Sequence, residues 1–183
     1  MTVFVDFDGT LLDSEGCLVE AYQLLCENKE VSPSTEIMHL FDQITFEQWQ
    51  NLIFHQLGEC SAELLNCAKT VYSKRSPNSF VLSILQKLPA DCSVRMITKE
   101  PVELPEYWLS RWGIKLFAQI TTVSDERMNQ DFYTGENILL IDDNYNHCSA
   151  AKMAGAYVIG VNSHHTEERK SQMREICDLY IEN

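Results

Sequence analysis

Basic charge is scarce in this chain: 14 Lys and Arg stand against 27 Asp and Glu, a formal net charge of −13. Basic residues run together no further than Lys74-Arg75. The clustered cations that grip a nucleic-acid backbone are therefore missing, and no nucleic acid polymer is expected as a partner. No apolar run approaches the roughly 20 residues that cross a bilayer, so no membrane partner is expected either. Cys-x-x-Cys pairs are absent. The seven cysteines (Cys17, Cys26, Cys60, Cys67, Cys92, Cys148 and Cys177) are odd in number and scattered. That pattern argues against a zinc knuckle or a disulfide framework and predicts reduced thiols in a cytoplasmic protein. No basic segment followed by an apolar one precedes the first strand, so no cleaved leader is expected. Internal repeats and low-complexity segments are lacking as well.

What remains is a chain of 183 residues, 45% hydrophobic and 22% charged, which suits one α/β domain with a modest insertion. Short apolar runs rich in Val and Ile read as buried strands at 3–7, 94–98, 118–123, 138–142 and 156–161, with a further one at 179–182. Helical patterns lie between several of them. In "SPNSFVLSILQKL" one face carries Phe80, Ile84, Leu85 and Leu88, with Ser76 as the cap and Pro77 at the first helical position. In "NHCSAAKMAG", Gly155 stands where a helix should stop. Strand alternating with helix predicts βαβ units and a doubly wound parallel sheet.

Residues 14–76 break that rhythm. "GCLVEAYQLLCENK", "TFEQWQNLIFHQLGE" and "SAELLNCAKTVY" all read as helices, the second with a Thr45/Gln48 capping box and the third capped by Ser61. The stretch is too long for one crossover connection and reads as a small helical insert. Tyr22 and Trp49 read as its core rather than as a pocket lining.

The residues that carry chemistry stand at strand ends. In doubly wound sheets, ligands bind at the carboxyl ends of the strands. Asp6 and Asp8 close the first strand, Thr98 the second, and Asp142 with Asp143 the one written ILLI. Like carboxylates at close range repel, more so when buried, so a compensating cation is expected. Three carboxylates and a hydroxyl make a hard oxygen site that suits Mg²⁺. Competing readings are weaker. An EF-hand calcium loop puts its glycine at position six, whereas Gly9 stands at position four from Asp6. Asp142 and Asp143 could alternatively cap a helix. Asn144 and Asn146 read as shaping the turn into it, and His164-His165 as a solvated loop.

"DFDGTLLDS", an apolar strand ending in Thr98, and "ILLIDDN" ahead of a helix ending in Ala-Gly together resemble the haloacid dehalogenase-like (HAD) phosphatase superfamily. The match runs in order from Val3 to Val161. The resemblance implies a Rossmann-like core at 1–13 and 77–183 and a helical cap at 14–76. It also implies Asp6 as nucleophile, Asp8 as general acid and then base, and Thr98 as a phosphate ligand. Asp6, the Asp8 carbonyl and Asp143, with Asp142 beside it, would hold Mg²⁺. The implied partner is a small phosphate ester, a metabolite or nucleotide monophosphate, hydrolysed through an aspartyl-phosphate. A phosphomutase using the same intermediate and a non-catalytic phosphate binder stand as alternatives. The lysine that the family places ahead of its last acidic motif is missing. Of the cations between Thr98 and Asp143, Arg127 is expected to replace it. Lys99 comes second, because strand alternation would turn it away from Thr98.

Overall fold

The computed structural model describes residues 1–41, 46–124 and 127–182. Six strands are β1 (Thr2–Asp6), β2 (Ser93–Thr98), β3 (Gln119–Thr122), β4 (Ile138–Asp142), β5 (Tyr157–Val161) and β6 (Leu179–Ile181). They form one parallel sheet in the order β3-β2-β1-β4-β5-β6. The chain steps outward from β1 to β3, then returns to the other side of β1 and steps outward again. The reversal falls between β1 and β4, and this is the α/β class that the alternating pattern predicts.

Burial follows from that order. In central β1, Val3 and Val5 are sealed and Phe4 nearly so, and β4 is buried along its whole length. Strands covered on both faces need apolar residues at successive positions rather than alternate ones. The expectation of a buried strand at 118–123 is corrected: β3 is an edge strand, with its first and last residues exposed. Among the described residues it pairs only with β2.

Eight helices are described: α1 (Cys17–Asn28), α2 (Thr35–Leu40), α3 (Phe46–Leu57), α4 (Ser61–Tyr72), α5 (Ser79–Gln86), α6 (Glu103–Arg111), α7 (Tyr145–Met153) and α8 (Glu167–Ile176). The chain divides into two compact units. One comprises Met1–Glu15 with Ser76–Asn183 and holds the whole sheet; the other, Gly16–Arg75, holds α1 to α4. In the helical unit α1 packs on α4. Tyr22 and Trp49 are fully buried there, in edge-to-face contact at 6.0 Å. The indole N–H of Trp49 donates to the Ile37 carbonyl at 2.9 Å.

Two helix starts differ from the sequence reading. Asn78, not Ser76, caps α5, because its side-chain oxygen reaches the N–H groups of Phe80 and Val81 at 3.1 and 3.2 Å. Ser61 lies inside α4 behind Cys60, with its hydroxyl turned to Glu59. The Thr45/Gln48 capping box lies outside the described residues at Thr45. Among the described residues, no helix is long and apolar enough to cross a membrane.

Candidate active site

Immediately after β1 the chain turns back on itself. The N–H groups of Leu11 and Leu12 both donate to the Phe7 carbonyl at 3.1 Å, and the Gly9 N–H donates to the Leu12 carbonyl at 2.8 Å. Gly9 has φ +77°, and a Cβ there would stand 2.3 Å from Asp143 Oδ2. Only glycine allows both the left-handed turn and the close approach of β4's end. Thr10 completes the clasp, its hydroxyl donating to Asp143 Oδ1 at 3.1 Å.

This turn brings the acids together. One carboxylate oxygen from each of Asp6, Asp142 and Asp143 lies within 4.8 Å of the other two. Burial first, then the charges of Asp142, Asp143 and Asp8, holds the Asp6 carboxyl well above the usual carboxylate range; Lys99 pulls the other way. Burial and then Asp142 push Asp143 up to about 7, opposed by the Thr10 hydrogen bond. The cluster is thus short of positive charge, and its all-oxygen donor set fits a hard divalent cation such as Mg²⁺.

Asp142 differs from its neighbours. It is wholly buried, and both its oxygens are engaged: Oδ1 accepts the Asn144 N–H at 2.8 Å, and Oδ2 faces His147 Nδ1 at 3.1 Å. Asn144 caps α7 through its own side chain, accepting from the Asn146 and His147 N–H groups. The cap sets His147 one turn into α7, looking back at the strand end. Neither His147 nor Thr10 was singled out from sequence. The signal for His147 was its spacing of one helical turn after Asn144.

Thr98 is 2% exposed at the end of β2. Its Oγ1 accepts the Glu100 N–H at 3.0 Å, which leaves the hydroxyl's own proton to donate. Asp8 lies just past β1, and its charge acts on Asp6 and on Glu100. Lys99 is the cation whose charge acts on Asp6, Asp143 and Glu100. β2 ends at Thr98, so strand alternation no longer dictates where the Lys99 side chain goes. Arg127 is exposed, its backbone closing a turn onto the Ser124 carbonyl. His164 is exposed between Asp13 and Glu15, at 3.2 and 2.9 Å. His165 stacks on Tyr180. Sequence reasoning also missed Glu100: a glutamate just past a strand reads as solvated, yet it is 8% exposed.

No family model matches this chain, and no curated protein matches it in sequence. Solved structures do match in fold. A candidate β-phosphoglucomutase from Thermotoga maritima is 18% identical, with a TM-score of 0.74 over 98% of this chain and 93% of that one. CbbY from Rhodobacter sphaeroides, solved in complex with phosphate, is 15% identical, with a TM-score of 0.69 over 98% and 92%. The candidate HAD hydrolase YfnB from Bacillus subtilis, solved with magnesium, is 14% identical, with a TM-score of 0.68 over 98% and 93%. Sheet order, strand-end acids and these matches agree: the chain has the haloacid dehalogenase-like fold.

Proposed function

We propose that the chain is a Mg²⁺-dependent phosphomonoester hydrolase acting on a small metabolite or nucleotide monophosphate through an aspartyl-phosphate. The observation that carries this reading is the convergence of Asp6, Asp142 and Asp143 within 4.8 Å at the strand ends. The phosphate and magnesium bound in two fold neighbours support it.

In this reading Asp6 attacks phosphorus, and the bond from phosphorus to the leaving oxygen breaks. Asp8 gives that oxygen a proton, then takes one from the water that attacks the aspartyl-phosphate and releases inorganic phosphate. Thr98 donates its hydroxyl to a phosphoryl oxygen. Lys99 supplies fixed positive charge beside Asp6 and Asp143, the role for which Arg127 is the second candidate. Asp6, Asp143 and the Asp8 carbonyl would hold Mg²⁺, which when bound offsets the charge of the carboxylates and the phosphate. Asp142, with both oxygens already engaged, supports the cluster from behind. Residues 14–76 are assigned as the cap that selects the substrate.

Phosphate release from a panel of phosphomonoesters, with Mg²⁺ and with excess chelator, tests the reading. Release that needs Mg²⁺ and stops on chelation is expected; full activity in chelator would remove the metal assignment. The candidate β-phosphoglucomutase among the fold neighbours supports a phosphomutase as the second reading. Conversion of a sugar phosphate to its isomer without net phosphate release would favour it.

A further inference from the structure

Two buried polar atoms have no hydrogen-bond partner among the described residues: Glu100 Oε2 and Tyr133 OH. Glu100 stands two residues past Thr98, at the carboxyl end of β2. Its backbone is pinned from both sides, the N–H donating to Thr98 Oγ1 at 3.0 Å and the carbonyl accepting from Thr122 Oγ1 at 2.9 Å. The residue is 8% exposed, and the charges that act on its carboxyl are those of Asp8 and Lys99. Parallel pairing sets Asp6 opposite Ile97. The ladder runs one bond further, the Phe7 N–H donating to the Ile97 carbonyl at 3.2 Å, and Asp8 is the next residue. A buried carboxyl oxygen left unpaired destabilises the fold, and a ligand that completes its hydrogen bonding accounts for its retention.

Resting on the phosphatase reading, we propose that Glu100 is a specificity-determining residue whose Oε2 pairs with a hydroxyl on the substrate's leaving portion, so that the site selects polyol phosphates. Its place beside Asp8, the acid for the leaving oxygen, sets it against the leaving portion rather than the phosphoryl group. A hydroxyl both donates and accepts, so it pairs with a carboxyl whether or not that carboxyl is ionised. A second phosphate would instead meet Glu100 and Asp8 as like charge. A purely alkyl leaving group would bury the oxygen without a partner.

The test compares kcat/KM of the full chain, with Mg²⁺, for glycerol 1-phosphate and n-propyl phosphate, which differ in their hydroxyls. p-Nitrophenyl phosphate serves as an independent substrate. A preference of roughly 10-fold or more for the glycerol ester is expected, since a site built around a hydroxyl rejects the analogue that lacks it. Glu100→Met should bring the ratio close to one, and Glu100→Gln should keep a preference. The ratio is internal to each variant, so partial loss of folded protein does not move it. Turnover of p-nitrophenyl phosphate with a ratio near one in the unaltered chain overturns this inference alone, as does a preference that survives Glu100→Met. No turnover of any of the three removes the phosphatase reading, and this inference with it.

Discussion

His147 Nδ1 lies 3.1 Å from Asp142 Oδ2, with the two side chains 4% and 0% exposed. The Asn144 N–H holds the other oxygen of Asp142, so β4 and α7 are tied at the corner that sets Asp143. Removing one member of a buried, hydrogen-bonded pair strands the other, at a cost of roughly 3–5 kcal/mol. His147→Ala should therefore lower the urea midpoint markedly, and His147→Asn, which keeps a donor near Nδ1, should recover part of the loss. Equal midpoints for His147→Ala and the parent protein would show that the pair contributes little.

Metal-free stability should fall as pH rises, the reverse of a protein held by salt-bridged carboxylates. Asp6, Asp143 and Glu100 are all raised, each chiefly by burial. A carboxyl raised in the folded state adds stability below its unfolded value, near 4. That stability is lost as pH climbs through the folded value, about 7 for Asp143 and about 8 for Glu100. Each proton contributes a slope of up to about 1.4 kcal/mol per pH unit. The lowered carboxyls, Asp178 among them, act below this window, because their stabilisation fades only as pH falls beneath the ordinary carboxylate range. Urea midpoints in chelator should drop between pH 5.5 and 7.5. Mg²⁺ should flatten the trend by offsetting the acid cluster, and Glu100→Gln should remove one group's share of it. Midpoints that rise with pH in chelator would contradict the crowding of these acids.

Asp6→Asn should abolish turnover while preserving, or slightly raising, thermal stability. An amide is a poor nucleophile, and its neutrality relieves the repulsion from Asp142 and Asp143 that acts on Asp6. A loss on the order of 10⁴-fold or more in kcat is expected for a removed nucleophile. Asp8→Asn should hurt alkyl phosphates more than p-nitrophenyl phosphate, whose leaving group needs no proton. Comparing kcat for both substrates on both variants separates the two roles. An Asp6→Asn protein that retains a tenth of parental turnover would leave the nucleophile elsewhere.

Much of this arrangement can be read from residue patterns, because the strongest signals are those that the sheet imposes. Val3, Phe4 and Val5 in β1 and the ILLI run of β4 are apolar on both faces, as a covered parallel strand requires. Strand ends in such a sheet converge, so Asp6, Thr98 and Asp143 could be brought together on paper. Contacts that depend on where the strand stops were not legible. Lys99 and Glu100 follow Thr98 directly, and their directions hinge on β2 ending there rather than one residue later. Glu100 carries a type normally solvated, and its burial comes from tertiary packing alone. The start of α5 was missed for a local reason: Asn78 outcompetes Ser76 because its carboxamide oxygen reaches two N–H groups at once.

The cation beside the nucleophile is the sharpest choice left by the sequence, and the charge distribution favours Lys99 over Arg127. Phosphoryl transfer spreads negative charge over the equatorial oxygens, and a fixed cation nearby stabilises it. Lys99 is a positive charge that lowers Asp6, Asp143 and Glu100 alike. Arg127 is exposed beyond β3, the edge strand two places from β1. By analogy with loss of an oxyanion donor, worth about 2.7–4 kcal/mol, Lys99→Ala should lower kcat roughly 10²- to 10³-fold. Arg127→Ala should change it less than about threefold, as exposed charges outside a site contribute little. Lys99→Ala should also raise the pH at which Asp6 and Asp143 ionise, because the pull that lowers them is gone, and so move the falling limb of the metal-free stability profile to higher pH. A disabled Arg127→Ala beside a near-normal Lys99→Ala would reverse the assignment.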